Sequence, residues 1–294
     1  MLSEFEEVGQ RLRAYRLGRS LTAEDVAQEL GISRAAVYRL EKGEIVKIQI
    51  LSALSKLLDV SLPSMLGVGV EYYDNAIAFF ERMRQLEEDS IQLLGNFSPM
   101  SWLIMSDDYM KYLRIMLIEA IPEAATDRPR HIDFIGAIVS LLEERRATAS
   151  RRRVPVVSLV GSQDIERFLR LGLIGRFDLP DKIQQERRQA ARHEVERLHD
   201  LMLRQPIGTQ VGVVDGQPPS QTFQVYERAT MSSVSLSPYR LGDQPNVTSG
   251  IALVTSAPDA VRHFERTLQT QWETAHKGSD GAYILRRMLD ARQA

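Results

Sequence analysis

Within residues 21–43 apolar positions fall at helical spacing twice, with a glycine between the two runs. In the first run Val26, Ala27 and Leu30 share one face, and Thr22 stands at the N-cap position with Asp25 three residues on. Gly31 ends that run, because the residue leaving a helix at this angle needs a positive φ, which glycine adopts without a Cβ clash. Ser33 offers a second N-cap. A helix beginning at Arg34 then buries Ala36, Val37 and Leu40 and turns Arg34, Ala35, Tyr38, Arg39 and Lys42 outward.

The pattern changes after Gly67, Val68 and Gly69. Residues 71–94 contain neither proline nor glycine, and Ile77, Phe80, Met83, Leu86, Ile91 and Leu94 form a stripe that predicts one long connecting helix. Such a helix packs on a second domain or pairs with a second subunit. From Ser98 onward short apolar runs alternate with amphipathic segments. The spacing predicts a strand at 102–105, helices at 108–119 and 132–145, a buried strand at 154–160 and a helix at 181–203. Strands follow at 210–214, 222–227, 233–237 and 251–255; Pro258 then opens a helix running through Trp272, and a last helix covers 282–292. The expected class is therefore α plus α/β: an N-terminal helical domain at 1–69, a connecting and dimerising helix at 70–97, and an α/β layered domain with a mixed sheet at 98–294.

Length supports that division, since 294 residues far exceed one small helical module. The apolar fraction of 44% and charged fraction of 26% are those of an ordinary globular chain. A formal net charge of −2 provides no overall attraction to a polyanion, so affinity of that kind has to be local. Acids and bases are evenly matched within residues 1–69, but Glu4, Glu6, Glu7, Glu24, Asp25 and Glu29 lie outside the second helix of the 21–43 segment. The absence of cysteine excludes disulfides, thiolate zinc sites and cysteine nucleophiles, and a reducing cytoplasm is the expected compartment. No charged-then-apolar leader is read at the start, and no apolar run approaches the roughly 18 residues that span a bilayer, so no membrane partner is expected.

The joint spacing of Leu21, Ala27, Gly31, Ser33, Val37, Glu41 and Gly43 resembles the Cro/repressor-type helix-turn-helix, the XRE family, and the stretch I-Q-I-L-S-A-L-S-K-L-L-D-V-S-L-P-S-M-L looks like that family's fourth and fifth helices. The likeness covers about the first quarter of the chain and implies a five-helix DNA-binding domain. It implies Arg34, Ala35 and Arg39 as readers of base edges in the major groove, with Tyr38 beside them, and Ser33, Lys42 and Lys47 as phosphate contacts. Arg16 and Glu41 take the places of an ion pair that links the first helix to the recognition helix. The family's glutamine at the start of the second helix is Ala23 here, which removes one expected contact to a phosphate.

The tail I-A-L-V-T-S-A-P-D-A-V-R-H-F-E-R-T-L-Q-T-Q-W-E-T-A resembles the end of phospholipase-D-like domains found in some bacterial and archaeal regulators. That likeness implies a sensor. The catalytic pattern of that family, His-x-Lys with an Asp four residues further on, is absent, and His276-Lys277-Gly278-Ser279-Asp280 matches it only superficially. His131, His193, His199, His263 and His276 show no metal-binding spacing, and L-V-G-S-Q and L-G-L-I-G-R lack the context of a phosphate loop, so neither an enzyme nor a cofactor is expected. Arg145, Arg146, Arg151, Arg152 and Arg153 read as a solvated basic loop around residues 147–150, or as an anion or DNA-backbone contact. Met100, Trp102, Tyr109, Tyr112 and Met116 read as core or as the lining of an apolar pocket. Taken together, the expectation is a cytoplasmic transcriptional regulator, a homodimer on pseudo-palindromic double-stranded DNA with a small-molecule effector in its C-terminal domain. The other reading is an antitoxin or phage-type regulator whose C-terminal domain binds a protein partner.

Overall fold

The computed structural model describes residues 4–44, 47–216 and 221–291. Five helices come first: α1 Glu4–Gly18, α2 Ala23–Leu30, α3 Arg34–Glu41, α4 Ile48–Leu57 and α5 Leu62–Leu66. Their small core is made by Leu12, Tyr15, Val26, Ala27, Val37, Leu40, Leu54, Leu58 and Met65, all buried. The C-terminal part begins with β1 Val70–Tyr73, α6 Ala76–Asp89, β2 Ser90–Phe97, α7 Asp107–Glu119, α8 Arg128–Arg152, β3 Val156–Gly161 and α9 Ser162–Leu171. It continues through α10 Asp181–Arg204, β4 Thr209–Val214, β5 Thr222–Arg228, β6 Ser233–Ser237, β7 Ala252–Thr255, α11 Pro258–Thr274, β8 His276–Lys277 and α12 Gly278–Asp290.

The eight strands form one mixed sheet in the order β1-β7-β6-β5-β2-β3-β4-β8. β2, β3 and β4 run parallel, each returning through helices, while the other pairings are antiparallel. Alternation along β5 divides the two faces. Phe223 and Val225 join Leu159, Val261 and Leu268 beneath α11, whereas Tyr226 joins the larger core on the opposite face with residues of α6, α8 and α10. That larger core is continuous with the core of the five-helix module.

Residues 70–97 depart from the expected connecting helix. They form a strand, a helix and a strand, and the apolar stripe proves to be the sum of separate faces: Phe80, Met83 and Leu86 are buried on α6, but Ile91 is exposed on β2. Asn75 starts α6 by accepting the N–H groups of Ile77 and Ala78, and the chain turns extended at Ser90 to pair with β5 and β3. Because α6 is buried on most of its circumference, it has no free face for a second subunit. Two other expectations fail. Residues 102–104 form a short 3₁₀ turn and no strand, and residues 147–150 lie inside α8 and form no loop. α9, β1, β2 and β8 were not foreseen, and the expected end of the last helix at Arg292 lies outside the described residues.

The five-helix module is docked on the sheet domain through α1. Gly18 lies so close to α6 that a Cβ there would stand 2.5 Å from the Ala78 Cβ, and the Tyr15 and Tyr73 rings stack at 4.8 Å. Charged groups complete the junction. Arg82 Nε donates to Glu71 Oε2 at 2.9 Å, Arg11 Nη1 approaches Glu71 Oε1 at 3.4 Å, Gln85 Nε2 donates to the Gln10 carbonyl at 3.0 Å, and Arg228 Nη1 donates to Glu7 Oε1 at 2.9 Å. Burial by itself would raise both carboxyls, but Arg228 and Arg82 at Glu7, and Arg82 and Arg11 at Glu71, outweigh it and hold both below the ordinary glutamate value.

Candidate DNA-binding surface

The geometry of the exposed helix follows from a few local devices. Thr22 accepts the Asp25 N–H while the Asp25 carboxylate accepts the Thr22 N–H, a complete capping box. Gly31 turns the chain at φ 63°, and Ser33 caps α3 by accepting the Ala36 N–H at 3.1 Å. The far end of α3 is held against α1 at backbone contact: a Cβ on Gly9 would lie 2.6 Å from the Glu41 carbonyl oxygen, and one on Gly43 2.5 Å from the Glu6 Cα. Gly43 also takes φ +85°. Between them Arg16 places its guanidinium on Glu41, with Nη2 donating to Oε2 at 3.1 Å, and a further donation to the Leu21 carbonyl ties in the start of α2. Both side chains of this pair are about 10% exposed, so the bidentate geometry orients α3 more than it stabilises the fold.

Val37 and Leu40 of α3 are buried, whereas Ser33, Arg34, Ala35, Tyr38 and Arg39 are exposed along one side, with Lys42 and Lys47 exposed beyond its end. The two arginines are engaged within the free protein. Arg34 lies over the Tyr38 ring, 5.4 Å from its centroid, and donates to the Tyr38 hydroxyl at 3.1 Å; Arg39 approaches Glu44 at 3.6 Å. These are exposed contacts of small free energy, so guanine or phosphate can replace them. The sequence reading missed both, although Arg34 and Tyr38 stand at helical i, i+4 spacing. Ala23 is buried at the start of α2, so the position where the family carries glutamine faces the module's own core.

Residues 12–64 match the family model described as Helix-turn-helix. The N-terminal module is an XRE-type helix-turn-helix domain. It makes the protein a DNA-binding regulator. The helix-turn-helix domain itself is non-enzymatic. No curated protein matches the chain, and no helix among the described residues is long and apolar enough to cross a membrane.

Outside the helix-turn-helix domain, three of the five arginines of the expected basic patch are taken up by structural contacts, while Arg151 and Arg153 stay exposed at the end of α8. Arg145 is buried and donates to both oxygens of Glu87, Arg146 donates to the carbonyls of Met105 and Ser106, and Arg152 donates to the Glu87 carbonyl. Met100, Tyr109 and Met116 are core residues, and Tyr112 lies under Arg187. Cavities among the described residues include three in this part of the chain. One of about 70 Å³ lies between α6 and the sheet and borders Met100; it is far below the size of a typical ligand site, about 300–1,000 Å³. A second, of about 410 Å³, lies beyond the ends of β2 and β5, where Arg167 and Arg240 both pair with Asp243. The third, of about 460 Å³, lies between α11 and the sheet. No group of three or more His, Asp or Glu side chains converges in a metal-binding arrangement among the described residues.

Proposed function

We propose that the protein is a sequence-specific transcriptional regulator that acts as a homodimer, with Arg34, Ala35, Tyr38 and Arg39 at base edges, Ser33, Lys42 and Lys47 at phosphates, and a C-terminal region that senses an effector. The observation that carries the reading is the exposed face of α3, whose two arginines point to solvent, Arg39 with Glu44 at 3.6 Å and Arg34 with Glu24 acting on it through space. Arginine places two parallel donors on guanine O6 and N7, and the Ala35 methyl suits a thymine methyl. One such domain covers a single half-site, so a two-fold symmetric dimer is the economical architecture. Its contact surface lies outside α6, which is buried. The strand-to-helix order of β7 and α11 is compatible with the tail's likeness to phospholipase-D-like regulators, and Lys277 of the superficially catalytic stretch is engaged with the Trp272 carbonyl and ring. These features support a sensing role without catalysis.

Selection of binding sites from random duplex DNA tests the proposal. The expected product is a two-fold symmetric sequence with at least one G·C pair per half-site and half-sites separated by about one helical turn. Enrichment of isolated half-sites together with a monomer by light scattering contradicts the dimer, and absence of enrichment contradicts sequence-specific recognition.

A further inference from the structure

The cavity between α11 and the sheet combines ligand-sized volume with unmatched charge. Its volume of about 460 Å³ lies within the range of small-molecule sites. Leu94, Leu159, Leu268 and Trp272 form apolar walls, and its charged groups are Glu227 from β5 and Glu265 from α11. Among the described residues no arginine, lysine or histidine lines it. Among the described residues neither carboxylate has a hydrogen bond or an ion pair. The contrast with the 410 Å³ cavity is direct, because there both arginines share a buried aspartate. Burial pushes the Glu227 carboxyl above its ordinary value, and the charge of Glu265 adds to the effect. A cation entering between them relieves that repulsion. Gln92, Gln210 and Gln269 add neutral amides, but two carboxylates fall short of the charged oxygen set that an inorganic divalent ion seeks, and no group of three or more acidic or histidine side chains converges among the described residues, whereas an organic ammonium uses both the carboxylates and the aromatic wall.

Position links this cavity to the DNA-binding module. Glu227 faces α11, and the next residue, Arg228, faces the other side of the sheet, where it holds Glu7 of α1 at 2.9 Å. On the neighbouring strand the register shifts between Ser90 and Gln92, the partners of Arg228 and Glu227. A bulge loosens the ladder at that point, so displacement of Glu227 reaches Arg228 across one peptide.

We propose that this cavity binds a small organic cation, an amine with an apolar body, its nitrogen between Glu227 and Glu265 and its carbon frame against Trp272 and Leu268, and that occupancy acts on the helix-turn-helix domain through Arg228 and Glu7. The second half of this proposal rests on the sensing role; the first does not. Calorimetric titration of the full chain with 2-phenylethylamine, tryptamine, 2-phenylethanol and phenylacetate tests the first. The amines are expected to bind saturably, the alcohol about tenfold or more weakly, and the anion not at all. Glu265→Gln, on a half-exposed helix position, is expected to weaken amine binding about tenfold and leave the alcohol unchanged. Binding should also change the fluorescence of Trp272, a signal lost in Trp272→Phe. Failure of both amines to bind, equal affinity for phenylacetate, or undiminished amine affinity in Glu265→Gln overturns the site. DNA affinity measured with and without saturating amine then tests the link: a change that disappears in Glu7→Gln supports it, and an unchanged affinity removes the sensing role while the titration still establishes the site.

Discussion

Arg16 is the residue on which the orientation of α3 turns, since it joins α1, the start of α2 and Glu41 with one guanidinium. Removing Glu41 leaves that charge buried without a counter-charge, held, among the described residues, only by the Leu21 carbonyl. Glu41→Ala is therefore expected to cost about 3–5 kcal/mol of stability in denaturant unfolding, far above an ordinary surface change. A loss below about 0.5 kcal/mol would show that the pair is solvent-screened. The local devices around it were readable in the sequence because each acts over three or four residues: the Thr22–Asp25 box, the Gly31 turn and the Ser33 cap. The intramolecular partners of the outward arginines were not read. Arg39 meets Glu44 across the end of the helix, and no periodicity announces a contact of that kind.

Elements with strong self-contained patterns were equally readable. β6 runs over Ser233–Ser237 as expected, and α7, α10, β4, β5 and β7 lie within one residue of their expected ends. Residues 70–97 were misread because helical periodicity and strand alternation overlap there, and only pairing with β7 at one end and with β3 and β5 at the other decides between them. Long-range register leaves no short-range signature. The consequence for function concerns α6: it is a core element between the DNA-binding module and α8, with Met83 wholly enclosed. Met83→Ala is expected to destabilise the protein by about 2–5 kcal/mol and to leave the oligomeric state unchanged by light scattering. Dissociation without loss of stability would return α6 to the role of a dimer helix.

Across the whole molecule, one core runs from the helix-turn-helix domain into the sheet domain, which places the two in a single folding unit. Calorimetry of the full chain is expected to show one cooperative unfolding transition, and two separated transitions would contradict the docked arrangement. The junction carries a pH dependence of definite sign. Glu7 and Glu71 are held below their unfolded value, so their contribution is complete above about pH 4.3 and is lost as pH falls through the depressed folded values. Asp89 nearby, raised mainly by burial, acts in the opposite sense and offsets part of that loss. The melting temperature should drop steeply below about pH 4, and Glu7→Gln should flatten the acid limb; an unaltered limb would show that the Arg228 pair does not hold the module in place.

The central claim is that α3 reads sequence while its flanking lysines supply affinity that ignores sequence. The most direct measurement is the dissociation constant of the full chain for a selected duplex and for random DNA, over a range of salt, in the wild type, Arg39→Ala and Lys42→Ala. Arg39→Ala is expected to lose about 1–3 kcal/mol on the selected duplex alone and to relax preference at one base pair, whereas Lys42→Ala should weaken both duplexes alike and flatten the salt dependence by about one unit of slope. Equal losses of Arg39→Ala on selected and random DNA would contradict the account.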